Sequence, residues 1–267
     1  MNLFDTHSHY NDTKFDKDRD EVIKQTLESG VQNFIVAGCN LKMSEDAVKI
    51  AKTNSRIYST VGISPLDINE LNCENEVDEM LLKLKEFAYA NKDEGRIVAI
   101  GEIGLDYYYT KDKKDLQHYA FIKQIELANE MNLPIVIHTR EAVNDTLSIL
   151  KNNIVNNRGV FHCCPLNQEL IKEATKNGYY ISFSGIITFK NVKNLEAIIK
   201  LVPDERILIE TDSPYLSPEP LRGTRNNCMN VQYVAQKIAQ IKGISQNEIA
   251  DLTYNNAKKI FKIEDED

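Results

Sequence analysis

The chain has 267 residues, far more than a minimal module and enough for one large domain. Its hydrophobic share of 42% and charged share of 27% are those of an ordinary globular protein, and its net charge of -8 excludes the basic-stripe mode of nucleic-acid binding. Five cysteines, Cys39, Cys73, Cys163, Cys164 and Cys228, form an odd set without C-x-x-C spacing, which argues against a disulfide framework or a thiolate zinc site. No apolar segment has the length of a membrane span, and no apolar stretch follows a basic start, so a cytoplasmic protein without a membrane partner is expected.

In chain order, short apolar runs fall at residues 3–4, 34–36, 57–61, 97–100, 135–137, 160–161, 179–181 and 207–209, giving eight candidate strands. The stretches between them carry helical spacing, as in Ala120, Ile122, Ile125, Leu127, Ala128 and Met131, or Leu195, Ala197, Ile198, Ile199 and Leu201. Strand then helix, repeated eight times, means an α/β fold, either a closed parallel barrel or a doubly wound sheet. The expected layout is one barrel over residues 1–263 with an acidic tail at 264–267.

The polar residues separate the two folds. His7 and His9 follow the first candidate strand, Glu102 the fourth, His138 the fifth, His162 the sixth and Asp212 the eighth. In a (β/α)8 TIM-type barrel such positions converge on the C-terminal mouth, where these folds place their active sites. Within a strand, alternate side chains share a face, so His7 and His9 in Asp5-Thr-His-Ser-His9 can reach one ion. That pair alone is equally compatible with two satisfied or surface histidines. All six positions together point to a divalent-metal hydrolase, since imidazole suits zinc and carboxylates also suit manganese or magnesium.

The segments Phe4-Asp-Thr-His-Ser-His9, Ile100-Gly-Glu-Ile-Gly-Leu-Asp106, Ile137-His-Thr-Arg140, Phe161-His-Cys163 and Leu208-Ile-Glu-Thr-Asp-Ser-Pro-Tyr-Leu216 resemble, in order, the TatD family of metal-dependent deoxyribonucleases. That resemblance implies two divalent cations (Mg2+, Mn2+ or Zn2+). His7, His9 and Asp212 would hold one, His138 and His162 the other, and Glu102 would bridge both. It also implies DNA, single-stranded or in short fragments, as substrate, with a monomer as the default state. Asp212 would then be a general base as well as a ligand, and Glu102 the second catalytic carboxylate. Taken alone, Asp212-Ser-Pro214 also reads as a turn cap.

Substrate-binding candidates are Arg140, a phosphate clamp or a surface ion pair, and Arg225 with Asn226, which resemble the family's Arg-Asn pair. Asp106 closes the Glu102 motif and is a candidate to orient a metal ligand or Arg140 from behind. Tyr107, Tyr108 and Tyr109 read either as a base-stacking run or as a packed loop cluster. His118 shows no partner carboxylate at suitable spacing.

Two positions depart from the family pattern. Ser64 stands where relatives carry a histidine expected to touch substrate, and the proline usually found after the Arg-Asn pair is absent from residues 225–229. Neither touches the ligand set. Rival expectations are an amidohydrolase or lactonase, an enzyme that removes mis-attached amino acids from tRNA of the D-aminoacyl-tRNA deacylase type, and a barrel without turnover.

Overall fold

Each apolar run becomes a strand, and several strands extend beyond their apolar part because backbone pairing continues through polar residues. In the computed structural model residues 1–109 and 112–264 are described, so positions 265–267 of the expected acidic tail lie outside them. The elements run β1 (Leu3–Ser8), α1 (Arg19–Glu28), β2 (Val31–Val36), α2 (Leu41–Ala51), β3 (Ile57–Val61), α3 (Pro65–Ile68), α4 (Glu74–Ala90), β4 (Ile97–Asp106), α5 (Lys114–Met131) and β5 (Ile135–Arg140). They continue with α6 (Val143–Asn152), β6 (Gly159–Phe161), α7 (Gln168–Lys176), β7 (Tyr180–Phe183), α8 (Leu195–Leu201), β8 (Ile207–Ile209), α9 (Val231–Lys242) and α10 (Gln246–Phe261). The strands form one sheet in chain order, β1 to β8, the topology of a (β/α)8 barrel.

Two compact units make up the chain: Met1–Val36 with the part from His162 onward, and Ala37–Phe161. In the first unit, β1 pairs in parallel with β2, and β7 with β8. The last strand then returns to the first, as Asp212 N–H donates to His7 O at 2.9 Å, Thr6 Oγ1 to Ile209 O at 3.1 Å, and Ser8 bridges Ser213. Tyr10, just past β1, is fully buried, edge-on to Phe15 at 4.8 Å and to Phe34 at 5.3 Å. Its hydroxyl shares a 2.6 Å hydrogen bond with Thr26 Oγ1 and accepts Cys228 N–H at 3.0 Å, so the buried ring leaves no polar atom unsatisfied. A capping box starts α10, with Ser245 and Glu248 each satisfying the other's backbone N–H.

In the second unit β3, β4, β5 and β6 pair in parallel, each with the next. β4 is buried over its whole length. Burial without alternation is what a parallel strand shows when both faces are covered. The apolar run at 97–100 predicts a short strand, but β4 continues to Asp106, pairing Gly104 with His138, Leu105 with Thr139 and Asp106 with Arg140. Gly104 sits at φ +138, and a Cβ there would run into the His138 carbonyl, so glycine is required for the two strands to approach.

Helix α5 places two fully buried glutamines seven residues apart on one face. Gln124 donates to Ile63 O at 3.0 Å and accepts Ile63 N–H at 2.7 Å, while Gln117 accepts Asp106 N–H at 2.9 Å and donates to Asp106 O at 3.1 Å. Each amide thus supplies both hydrogen bonds that a neighbouring strand would otherwise give. None of the described helices is long and apolar enough to cross a membrane.

Candidate metal centre

The β1–β8 seam fixes the first cluster. His7 lies on β1 and His9 one residue past it, and alternation turns both the same way, so their Nε2 atoms are 3.1 Å apart. Asp212, after β8, places Oδ1 3.3 Å from His9 Nε2 and 3.9 Å from His7 Nε2. His162, next after β6, stacks on His7 with ring centroids 4.0 Å apart and planes 17° from parallel. One ligand atom from each of His7, His162 and Asp212 lies within 4.8 Å of the others. Burial alone would raise the Asp212 pKa, but the hydrogen bond from His9 and the charges of His9, His7 and His162 outweigh it and hold the carboxyl below its ordinary value.

Two further acids, Asp5 and Glu210, support this cluster. Asp5, fully buried, accepts His7 N–H at 3.2 Å, Thr211 N–H at 2.9 Å and Thr211 Oγ1 at 2.5 Å, which ties the histidine strand to the segment that carries Asp212. Burial pushes the Asp5 carboxyl up to about 7 against those hydrogen bonds. Glu210, also fully buried, accepts Cys163 N–H at 2.6 Å, and the same oxygen lies 3.5 Å from His162 Nδ1. Asp5 shares a face of β1 with His7 by alternation, a signal present in the sequence, whereas Glu210 lies past the end of β8 and meets His162 from far along the chain.

The second cluster belongs to β4 and β5. His138 is flanked by carboxylates on both ring nitrogens, with Nδ1 2.8 Å from Glu102 Oε1 and Nε2 3.0 Å from Asp106 Oδ2. The other Glu102 oxygen accepts Cys39 Sγ at 3.7 Å. Asp106 Oδ1 accepts Tyr108 N–H at 2.9 Å and Tyr109 N–H at 3.0 Å. Burial opposes ionisation of Asp106, yet the His138 hydrogen bond and charge and these two backbone donors bring its pKa below the ordinary value.

Both clusters suit a divalent cation. The first offers three imidazoles and a carboxylate and the second a half-buried imidazole between carboxylates, donors of the zinc, manganese and magnesium type, and a carboxylate behind His138 is the usual device for fixing a ligating ring.

The remaining candidates occupy varied positions. The Arg140 guanidinium lies 3.8 Å from the Tyr108 ring centroid and 4.9 Å from that of Tyr109. Ser64 is buried at the start of α3, where Oγ donates to Asp67 Oδ2 at 2.6 Å and caps Asp67 N–H. Arg225 forms a bidentate pair with Asp18, at 2.8 and 2.6 Å, donates to Lys14 O and covers the Phe15 ring. Asn226 is fully buried, its amide donating to Thr211 O and Tyr215 O, which anchors the segment after β8. His118 does meet a carboxylate, for Tyr107 OH contacts its Nε2 at 2.5 Å and donates to Asp145 at 2.6 Å. Asp145 stands 27 residues along the chain, on α6, where helical spacing within α5 could not reveal it.

A family model described as "TatD related DNase" matches residues 4–262. The chain is 40% identical to "Uncharacterized metal-dependent hydrolase YabD" of Bacillus subtilis, over 98% of this chain and 99% of that protein. It is 30% identical to "3'-5' ssDNA/RNA exonuclease TatD" of Shigella flexneri, over 98% and 99% respectively. Among solved structures it is similar to YjjV, a TatD homolog from Escherichia coli, with a TM-score of 0.88 at 23% identity over 98% of both chains.

Proposed function

The chain belongs to the TatD family of metal-dependent hydrolases, and on that premise we propose that it hydrolyses phosphodiester bonds in single-stranded nucleic acid, DNA foremost. The ligands are His7, His9, His162 and Asp212 in the first unit and Glu102 and His138 in the second. The observation that carries the reading is the convergence of His7, His162 and Asp212, with His9 Nε2 3.1 Å from His7 Nε2, on one buried spot at the end of the β1–β8 seam. The Shigella flexneri relative, named as a 3'-5' exonuclease on single-stranded DNA and RNA, supports the choice of substrate.

When bound, two divalent cations would polarise the phosphoryl oxygen, acidify the attacking water and stabilise the leaving oxygen. Asp212 stays ionised because His9, His7 and His162 hold its pKa down, so its Oδ1 can accept the proton of that water. The hydroxyl left by that transfer ends on phosphorus, and the proton returns to the departing sugar oxygen. Asp106 accepts from His138 Nε2 and keeps Nδ1 aimed at Glu102, which fixes the orientation of the ring before any ligand arrives. Arg140, two residues beyond His138 on β5, brings a guanidinium to the same strand end, where a phosphate can be held in two-point contact.

The test is to strip metal from the protein, add 3'-labelled or 5'-labelled single-stranded DNA, and restore Mg2+, Mn2+ or Zn2+ in turn, with Asp212→Asn as control. Cleavage that returns with metal and is lost in the variant supports the reading and reports the polarity. Cleavage of ester or amide substrates only, with no ion supporting nuclease activity, overturns it.

A further inference from the structure

Tyr107, Tyr108 and Tyr109 are adjacent in sequence but differ in environment. Tyr107 is 5% exposed and turned inward to His118 and Asp145, whereas Tyr108 and Tyr109 are 52% and 60% exposed. The two outer rings meet edge to face, with centroids 4.8 Å apart and planes at 89°. Arg140 covers one face of Tyr108 at 3.8 Å, and about half of the residue's surface remains exposed.

This arrangement is held in place from below. Asp106 Oδ1 accepts the backbone N–H of both tyrosines, while Oδ2 of the same carboxylate meets His138 Nε2. Tyr107 N–H donates to Arg140 O at 2.9 Å, and Asp106 is paired with Arg140 in the β4–β5 register. One carboxylate therefore spaces two open aromatic rings from a candidate metal ligand, and one strand carries both that ligand and the arginine. Exposed aromatics on a fixed turn lose little freedom on binding, and a neutral ring works in a protein of net charge -8 where long-range attraction to phosphates does not.

We propose that Tyr108, Tyr109 and Arg140 form a subsite for one unpaired nucleobase of the strand being cleaved, the base lying against the exposed part of Tyr108 and bordered by Tyr109, with Arg140 sandwiched on the opposite face. Rings take any base because every base has a π-face, so the subsite selects single-stranded over paired nucleic acid without selecting sequence. The inference rests on the nuclease reading above and adds to it the group that is gripped.

The experiment measures fluorescence anisotropy of a labelled, cleavage-resistant phosphorothioate thymidine strand and of its abasic counterpart, with Mg2+ or Mn2+ present, for wild type, Tyr108→Ala, Tyr109→Ala and Tyr108→Phe. Circular dichroism checks that the variants fold, which their exposed positions favour. The expected result is that Tyr108→Ala weakens binding of the thymidine strand by about tenfold, does little to the abasic strand, and that Tyr108→Phe keeps wild-type affinity because the ring and not the hydroxyl stacks. Wild-type binding of both strands with equal affinity, or alanine variants that bind the thymidine strand normally, would overturn the subsite and leave the phosphodiesterase reading standing. Failure of the wild type to bind either strand would sink both.

Discussion

Gln117 holds both backbone polar groups of Asp106, accepting its N–H at 2.9 Å and donating to its carbonyl at 3.1 Å. Since the Asp106 carboxylate in turn orients His138, a neutral amide on a helix sets the position of a candidate metal ligand two contacts away. Replacing Gln117 by Leu keeps the bulk and strands a buried N–H and carbonyl, so stability should fall by about 1–3 kcal/mol. Urea denaturation of the metal-free protein reads this directly. A loss within a few tenths of a kcal/mol would mean that Asp106 finds other backbone partners.

Asp106→Asn removes the negative charge behind His138 while preserving shape. Carboxylates that back a ligating histidine contribute about 10–100-fold in metal affinity, so titration calorimetry with Mn2+ or Zn2+ should show a drop of that order with the fold intact. Affinity equal to wild type would place His138 outside the metal ligands.

Glu102→Ala and Asp212→Asn should each abolish most metal-restored turnover, by orders of magnitude, because each removes a charged donor from a cluster built of few of them. Bound metal, counted by inductively coupled plasma analysis after gel filtration, should fall in parallel. A folded variant with full metal content and near-normal turnover would remove that residue from the ligand set.

The Arg225–Asp18 pair allows a pH test. Arg225, chiefly by its hydrogen bonds, lowers the Asp18 pKa from the ordinary 3.8. A carboxyl depressed in the folded state contributes stability that is present above the unfolded value and is lost as pH falls through the folded value. Arg225→Ala should therefore cost most at neutral pH, and its effect on the unfolding midpoint should shrink once the solution is more acidic than pH 3.8. The part due to the Lys14 carbonyl and the Phe15 ring persists at every pH. A cost independent of pH would assign Arg225's contribution to those contacts alone.

The barrel was legible because its strands are apolar and its helices amphipathic, two periodicities that survive in a single sequence. β4 shows where that reading stops. Residues 101–106, Gly-Glu-Ile-Gly-Leu-Asp, look like a turn on composition, yet they form strand because β5 supplies the backbone partners and glycine at 104 lets it approach. The six ligand candidates were legible as residue types at strand ends. What lies behind them was not, since Gln117 and Glu210 act across distances in sequence that no local pattern encodes, as Asp145 does on the Tyr107–His118 pair. The environment of Asn226 was equally out of reach of a local pattern, for it is fully buried with its amide bonded to the backbone of residues 211 and 215.

The seam between β1 and β8 also bears on how the protein is made. Asp5 and Thr211 are 206 residues apart in the chain, and His9 reaches Asp212 across a similar span. Synthesis runs from the N-terminus, so both histidines are made long before the aspartate that completes their cluster. A chain that reaches only to the end of β7 carries His7, His9 and His162 without Asp212, so the imidazoles of the first cluster are made before the carboxylate that completes it.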